Sequence, residues 1–431
     1  MPAPSRPVAS HPLRSVVVVG AGLAGAQTVA ALRAQGFDGH VTVLGAEARA
    51  PYDRPPLSKH LFDRTEPAWL TDELGVDVAG LADDVRWGTP ALGLEVEPTG
   101  VRLATAGGVV RADAVVLASG SAAVLPRGWE GALTLHTAAD ADVLRARLAP
   151  GARLVVVGAG WIGAEVAGVA AAHGVEVTVV EGAPVPLEQA LGAAVGALTM
   201  PWYGGAGVRL RAGTRVARVW ATGVELADGA KIDADVVLAA VGARPATAWA
   251  DAALPREPDG SFRVDDGYRV IGAPTHVRAV GDVAQRWSRR HGAWMSGGHW
   301  DGALRGPATA VRALLADADA GIDAASVDPA TVDPTPYVFS TQLGHDLTLY
   351  GLPGPGDVVV LRGDPAGAAG WTALWFSPAA GPTAELTAVL AVDRPRDASA
   401  ARRLLARPTL PRLDPALAAD PDRPLREAER D

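Results

Sequence analysis

Short apolar runs that end at glycine are the most regular feature of this chain. Residues 16–19 (VVVV) run into Gly20-Ala21-Gly22-Leu23-Ala24-Gly25, an alanine-rich stretch covers residues 26–35, and a second apolar run covers residues 41–44. The order of strand, glycine-rich turn, helix and strand predicts a βαβ unit that binds a dinucleotide. The first acidic residue after the second run is Glu47.

The same order occurs again downstream. An apolar run over residues 154–157 meets Gly158-Ala159-Gly160-Trp161-Ile162-Gly163, and a helical pattern over 164–173 leads to a strand pattern over 175–180 that ends at Glu181. Runs at 114–118 and 236–241 also end near glycine, as strands of parallel sheets do. Two dinucleotide-binding units in one chain are therefore predicted.

The spacing predicts a role for each residue of these units. In each turn the first glycine allows the tight turn, the second lets the backbone approach a pyrophosphate, and the third lets the helix pack closely. The helix N-terminus adds unpaired N–H groups that favour phosphate. Glu47 and Glu181 can accept hydrogen bonds from ribose hydroxyls and would repel a 2′-phosphate, so NADH is favoured over NADPH.

The remainder of the chain is predicted from composition and alternation. Residues 313–334 are rich in alanine and aspartate, which indicates a linker. Alternating apolar and polar positions over residues 337–405 predict several short strands, closed by a helix at residues 400–405. The residues from Pro408 onward are rich in Pro, Asp and Arg and are expected to be mobile, so residues 1–13 and 411–431 are predicted to be flexible tails.

Charge and cysteine content exclude several classes of function. The chain has 431 residues, enough for two or three domains, and a formal net charge of −9, which argues against general nucleic-acid binding. It contains no cysteine, which excludes disulfides, a catalytic thiol and cysteine-held metal or iron–sulfur centres. No metal site is predicted, no apolar run is long enough to span a membrane, and a cytoplasmic protein is expected.

Three further motifs carry a family resemblance. Residues 51–59 read PYDRPPLSK, residues 279–284 read AVGDVA, and residues 298–301 read GHWD. Together with the two glycine-rich turns, they make the chain from about Ser15 to about Leu405 similar to the oxygenase-coupled NADH–ferredoxin reductases. That family shares the fold of glutathione reductase but has no redox disulfide, in agreement with the absence of cysteine.

The resemblance implies an α/β fold with two Rossmann-like dinucleotide-binding domains and a C-terminal α+β interface domain. It implies FAD-binding residues 14–124 and 245–330, NAD-binding residues 125–244 and an interface domain at 331–410. The cofactor FAD is assigned to Gly20, Gly22, Leu23, Ala24, Gly25, Glu47, Arg54, Lys59, Ala91, Ala118, Ser119, Gly120, Gly281, Asp282, His299 and Trp300. The substrate NADH is assigned to Gly158, Gly160, Trp161, Ile162, Gly163, Glu181 and Gly242.

In such a reductase the chemistry is carried by the flavin. The resemblance places Lys59 beside the flavin N5 and pairs it with Glu165, so that a cation stabilises negative charge on the reduced ring. The implied reaction is hydride transfer from NADH to FAD, followed by single-electron transfer to an iron–sulfur ferredoxin. That ferredoxin would supply a haem-thiolate monooxygenase or a Rieske oxygenase, and Asp282 would bind the ribitol hydroxyls.

Departures from the family pattern leave the electron acceptor open. They are His136, Ala246, Gly298, Thr341 and Leu343. Two alternatives remain at this point: an NADH oxidase or quinone reductase, and a flavin-bound, NADH-sensing interaction protein with little turnover. Arg286, Arg289 and Arg290 form a local basic run, which is either a docking patch for an acidic ferredoxin or a solvated loop. The oligomeric state is also left open.

Overall fold

The computed structural model describes residues 13–318 and 333–430. Contacts divide these residues into two units. The first unit takes the described residues up to Asp53, then Trp69–Ser121, and those from Pro245 to Pro334. The second takes Arg54–Ala68, Ala122–Arg244 and the described residues from Thr335 onward. Within the described part of the chain, no helix has both the length and the apolar character required to cross a membrane.

The first unit is built on a five-stranded parallel sheet. Its strand order is Val277–Ala279, Ala114–Leu117, Ser15–Val19, His40–Leu44 and Asp84–Arg86. The central strand is almost entirely buried, as expected where both faces of a parallel sheet are covered. Helix Leu23–Ala34 connects the first two strands of the chain. The glycine-rich turn between them therefore lies at the carboxyl edge of the sheet, where ligands of this fold bind.

Smaller elements complete the first unit. A second long helix, Trp300–Ala318, packs on the first one. The remaining strands are Tyr52–Asp53, Gly93–Glu97, Gly100–Thr105, Gly108–Ala112, Phe262–Val264, Ala284–Ser288 and Ala293–Met295. The short helices are Leu70–Glu73 and Val78–Leu81, with single 3-10 turns at Ala248–Ala250 and Gly281–Val283. Strands Ala68–Trp69, Ser121–Ala123 and Ala243–Pro245 lie where the chain passes from one unit to the other.

The second unit repeats the dinucleotide-binding pattern. Its parallel sheet has the order Arg209–Arg211, Glu176–Val180, Arg153–Val157 and Val236–Ala239. Helix Trp161–Ala172 connects the two central strands, and helix Glu188–Gly205 precedes the edge strand. Also present in this part are helices Pro56–Lys59 and Ala138–Arg147 and the antiparallel strands Val216–Trp220, Gly223–Leu226 and Lys231–Asp233.

An antiparallel sheet forms the C-terminal part of the second unit. Its order is Tyr337–Gln342, His345–Gly351, Ala384–Val392, Trp371–Phe376 and Val358–Arg362, and Arg412–Leu413 pairs with the long middle strand. Helices Pro395–Leu405 and Pro415–Ala418 and the 3-10 turn Leu425–Ala428 cover it. Their leucines and alanines join the buried cluster of the sheet, so this layer has a core of its own.

Two predictions from composition are wrong. Residues 313–318, expected to begin a linker, continue helix Trp300–Ala318, because alanine favours helix and Leu314 is buried against the core. Residues 411–430, expected to be a flexible tail, form a strand, a helix and a turn whose Leu413, Leu425 and Ala428 are buried. Residues 319–332 of the predicted linker and residues 1–12 of the predicted tail at 1–13 lie outside the described residues.

A close backbone contact joins the second dinucleotide-binding helix to the C-terminal sheet. Leu343 and Gly344 form a two-residue hairpin loop with φ of 53° and 87°, which fits a type I′ turn. Leu343 is buried against helix Trp161–Ala172 at Gly168, where an added Cβ would lie 2.7 Å from the Leu343 nitrogen. Glycine at position 168 therefore allows the helix and the hairpin to touch.

We expect Gly168→Ala to lower the free energy of unfolding by about 1–2 kcal/mol, because overpacking outweighs the gain in helix propensity. Urea denaturation measures this change. Gly204→Ala is the matched control, since it is also a helical glycine and its Cβ would meet no atom within 4 Å. Equal stability of the two variants would show that the hairpin moves away without cost.

Candidate functional site

The first glycine-rich turn, residues 20–25, has the geometry of a phosphate cradle. Gly20 has a φ of +112°, and a Cβ on it would lie 2.1 Å from the Ala118 carbonyl oxygen. A Cβ on Gly25 would lie 1.9 Å from the Gly20 carbonyl oxygen, whereas one on Gly22 would meet nothing within 4 Å. The first and third glycines are therefore required by packing, and the second leaves open space on the side from which a pyrophosphate approaches.

The second turn, residues 158–163, repeats this geometry. Gly158 has a φ of +106° with its added Cβ 2.4 Å from the Ala240 carbonyl oxygen, and a Cβ on Gly163 would lie 2.1 Å from the Gly158 carbonyl oxygen. Gly160 again faces open space. The residues present thus fit two dinucleotides, one in each unit, as FAD and NADH require.

The predicted ribose acids differ in how they are held. The Glu181 carboxylate accepts hydrogen bonds from the amides of Ala159, at 2.6 Å, and Ala183, at 2.7 Å, so it sits at the second turn itself. Glu47 lies three residues beyond its strand and accepts a hydrogen bond from the Tyr52 hydroxyl. Burial, together with the Glu181 charge, raises the pKa of the Tyr203 phenol, which therefore stays neutral beside the carboxylate.

A tight turn places Asp282 beside the first cradle. Gly281 has a φ of +68°, and a Cβ on it would lie 2.8 Å from the Ala24 Cβ, so glycine lets this turn approach the start of helix Leu23–Ala34. The Asp282 carboxylate accepts hydrogen bonds from the Ser121 hydroxyl, at 2.7 Å, and from the Gly298 amide, at 3.1 Å. An acceptor-only group in this position suits the hydroxyls of a ribitol chain.

His299 and Trp300 follow this turn in the first unit. The Trp300 indole N–H donates to Asp53 at 2.7 Å, which fixes the plane of the ring. Desolvation by burial lowers the pKa of His299, so its imidazole is neutral near pH 7 although Asp282 and Asp301 lie close enough to oppose the shift. The Trp300 ring is thereby held in one orientation, and the His299 imidazole is held in its neutral form.

The other residues predicted for FAD fall in both units. The Ser119 hydroxyl donates to the Ala246 carbonyl at 2.8 Å, which fixes the loop that carries one of the departures from the family pattern. Arg54 and Lys59 belong to the second unit, where the Arg54 guanidinium donates to the carbonyl of His136, another departure. The first unit holds Leu23, Ala24, Ala91, Ala118 and Gly120. The second unit also holds Trp161, Ile162 and Gly242, which are predicted for NADH.

A buried ion pair lies at the centre of the second unit. Lys59 Nζ is 2.8 Å from Glu165 Oε1, with exposed side-chain fractions of 13% and 3%. Glu165 also accepts hydrogen bonds from the hydroxyls of Ser58 and Ser340, both at 2.5 Å. The Lys59 ammonium lies 4.9 Å from the centre of the Phe339 ring, a cation–π distance. The carboxylate is thus satisfied on both oxygens, and Lys59 is held in place.

Sequence reasoning missed three members of this network. Ser58 and Ser340 donate directly to Glu165, and the Gln342 amide donates to the Ser340 hydroxyl at 3.0 Å. The signal for the last two is their spacing, because positions i and i+2 of a strand share a face, and both side chains are buried while Thr341 between them is exposed. The individual site assignments otherwise stay predictions.

The proposed three-arginine docking patch is wrong for Arg286. Its side chain is buried, and it forms an ion pair at 3.1 Å with Asp333. The Asp333 carboxylate also accepts from the Arg290 amide, at 3.0 Å, and the Arg290 guanidinium donates to the Asp333 carbonyl. Arg289 keeps a side chain that is 75% exposed, paired with Asp266. Two of the three arginines, Arg286 and Arg290, therefore bind Asp333 and stabilise the local structure.

The fold agrees with comparisons to known proteins. Residues 14–297 match the family model described as pyridine nucleotide-disulphide oxidoreductase, and residues 337–429 match the one described as reductase C-terminal. The ferredoxin–NAD(+) reductase component of an anthranilate 1,2-dioxygenase system from Burkholderia cepacia is 35% identical over 416 residues, or 94% of this chain and 97% of the relative.

Solved structures show the same likeness. The crystal structure of Fdr9 matches with a TM-score of 0.83 and 39% identity, covering 96% of this chain and 99% of the other. The covalent putidaredoxin reductase–putidaredoxin complex matches with a TM-score of 0.85 and 26% identity, covering 97% and 98%. The predicted fold class, with its C-terminal domain, is confirmed. The chain therefore belongs to the pyridine nucleotide-disulphide oxidoreductase family, and within that family to the ferredoxin–NAD(+) reductases of oxygenase systems.

Proposed function

We propose that this protein is an FAD-dependent NADH–ferredoxin reductase that supplies electrons to an oxygenase. When bound, FAD would supply the hydride acceptor for NADH and the single-electron donor for the acceptor protein. The observation that carries the proposal is the presence of two phosphate cradles of the same geometry, one in each unit, together with the buried Lys59–Glu165 pair. Each cradle holds one of the two dinucleotides that the reaction needs.

The chain's own residues orient the reactants and supply electrostatics. Glu165 and its two serine donors hold the Lys59 ammonium in a fixed position, from which it stabilises negative charge developing nearby. Asp282 would hold the ribitol hydroxyls of FAD, and Glu181 would hold the adenosine ribose of NADH. Hydride transfer needs no side chain as nucleophile or general base, which agrees with the absence of cysteine.

The partner is inferred from relatives. Several relatives are named ferredoxin–NAD(+) reductase components or subunits of dioxygenase systems, and one similar solved structure is a complex of putidaredoxin reductase with putidaredoxin. By analogy, the acceptor of this chain is an iron–sulfur ferredoxin and the final consumer is an oxygenase. Because NADH is made and used inside the cell, we place the protein in the cytoplasm.

The proposal is tested by purifying the protein and comparing acceptors. We expect a yellow protein that reduces cytochrome c with NADH only when ferredoxin is added, with NADPH far less effective. Rapid oxygen consumption without any preference for ferredoxin would instead favour an NADH oxidase. A preparation that remains colourless after incubation with excess FAD would contradict the proposal.

Replacing Glu181 with alanine is expected to raise the KM for NADH roughly tenfold or more while FAD stays bound, because the variant loses a carboxylate that accepts from ribose hydroxyls. Steady-state kinetics and the flavin absorbance measure the two effects. Glu176→Ala is the control, since Glu176 is an exposed acid at the opposite end of the same strand. Loss of FAD from the Glu181 variant would show that the two cradles are assigned in reverse.

A further inference from the structure

An exposed arginine lies directly beside the acid of the second cradle. The Thr214 amide donates to the Glu181 carbonyl at 2.8 Å, and the Glu181 amide donates to the Arg211 carbonyl at 2.9 Å. Just beyond this pairing, the Arg215 Cγ lies 3.8 Å from the position of a Cβ on Gly182. The Arg215 side chain therefore runs along the backbone that immediately follows Glu181.

The Arg215 guanidinium has no polar partner among the residues that the structure describes. Its side chain is exposed, and its guanidinium makes no ion pair or side-chain hydrogen bond within those residues. Glu181 is meanwhile occupied by the amides of Ala159 and Ala183. The Arg215 guanidinium is thus not bound by Glu181, although its side chain passes Gly182, the residue that follows Glu181.

We propose that Arg215 is a specificity-determining residue that contacts the adenosine end of the nicotinamide nucleotide. This inference rests on the proposed function. A guanidinium stacks on the face of an aromatic ring such as adenine and is also a strong ligand for phosphate. In the wild-type protein the Glu181 carboxylate repels a 2′-phosphate, so Arg215 acts only on the adenosine of NADH. Without the Glu181 charge, the same guanidinium binds the 2′-phosphate of NADPH.

Selectivity for NADH then depends on two opposed charges in one site. Removing the negative charge alone would do more than weaken NADH binding; it would expose a phosphate site that the chain already contains. Because an exposed side chain without a partner contributes little to stability, Arg215→Gln should fold as the wild-type protein does. The consequence is measurable in nucleotide preference and not in stability.

The test compares the wild-type protein with Glu181→Gln, Arg215→Gln and the double variant. For each, kcat/KM is measured with NADH and NADPH, and binding of 2′,5′-ADP is measured by calorimetry. We expect Glu181→Gln to raise kcat/KM for NADPH and affinity for 2′,5′-ADP roughly tenfold to hundredfold, the range of a charged hydrogen bond. The double variant should lose that gain.

Arg209→Gln in the Glu181→Gln background is the control for net charge. Arg209 is an exposed arginine at the start of the neighbouring strand, away from the carboxyl edge where the cradle lies. Equal NADPH use by Glu181→Gln and the double variant, or an equal loss in the Arg209 control, would overturn the assignment. A colourless protein, or one that cannot oxidise NADH, would instead contradict the proposed function.

Discussion

Replacement of Glu165 with alanine is expected to lower the free energy of unfolding by about 3–5 kcal/mol, because it leaves a largely buried ammonium without its counter-charge. Lys59 is 13% exposed, and the Phe339 ring cannot replace a carboxylate. The hydroxyls of Ser58 and Ser340 would also lose their acceptor. Urea denaturation monitored by circular dichroism measures the loss.

Removing both charges separates the structural role of this pair from its catalytic one. The double variant Lys59→Met/Glu165→Leu should regain most of the stability, since apolar side chains of similar volume often replace a buried ion pair at little cost. Its rate of flavin reduction by NADH should remain roughly a hundredfold below that of the wild-type protein, because a positioned cation is gone. Stopped-flow absorbance measures that rate.

The control for this pair is Glu176→Ala, an exposed acid on the parallel sheet of the second unit, which should change neither quantity by a measurable amount. Wild-type flavin reduction in the double variant would show that Lys59 and Glu165 serve only the fold. Wild-type stability in Glu165→Ala would show that the ammonium finds solvent, so that the pair is less buried in solution than its geometry indicates.

Local features of the chain were the ones that sequence predicted well. The two glycine-rich turns, the strands beside them and Glu181 follow from short-range rules, because a tight turn, an open approach and a strand end are each encoded within a few residues. The Lys59–Glu165 pair came from family resemblance, since 106 residues separate the two in sequence. No local rule connects them.

Composition failed where a distant partner decides the structure. Arg286 was predicted to belong to a surface charge patch, but its side chain is buried and forms an ion pair with Asp333, 47 residues away. Ser340 is likewise 175 residues from the carboxylate that it serves. Such pairs depend on which elements the fold brings together. A local run of charged or polar residues does not show which distant element it will contact. The longest segment for which composition gave the wrong prediction is residues 411–430.

A single buried guanidinium holds the C-terminal segment against the antiparallel sheet. The Arg362 side chain, on strand Val358–Arg362, is 2% exposed and donates to Asp397 at 3.1 Å. It also donates to four main-chain carbonyls of the segment, those of Ala418, Asp420, Pro421 and Arg423. A Pro/Asp/Arg-rich sequence that favours disorder by composition is therefore bonded at four carbonyls to one side chain that lies outside it.

Arg362→Met is expected to cost about 3–5 kcal/mol of unfolding free energy and to release residues 412–430. The buried Asp397 would keep only Thr372 and Arg394 as donors, and the segment's carbonyls would lose their shared donor. Urea denaturation gives the first effect, and hydrogen exchange of residues 412–430 gives the second. Arg412→Met is the control, because among the described residues that exposed arginine donates to Thr383 alone and lies near Glu385, so a change of at most about 1 kcal/mol is expected.

Denaturation and hydrogen exchange together distinguish two causes of order in residues 412–430: the hydrogen bonds of Arg362 and apolar packing. If the apolar contacts of Leu413 and Leu425 were enough to order the segment, Arg362→Met would lower stability while exchange protection of residues 412–430 persisted until global unfolding. If the Arg362 hydrogen bonds order the segment, its exchange protection in the variant is lost well below the denaturant concentration that unfolds the sheet. We expect the second outcome, because one donor makes hydrogen bonds to four carbonyls of the segment and all four are lost together.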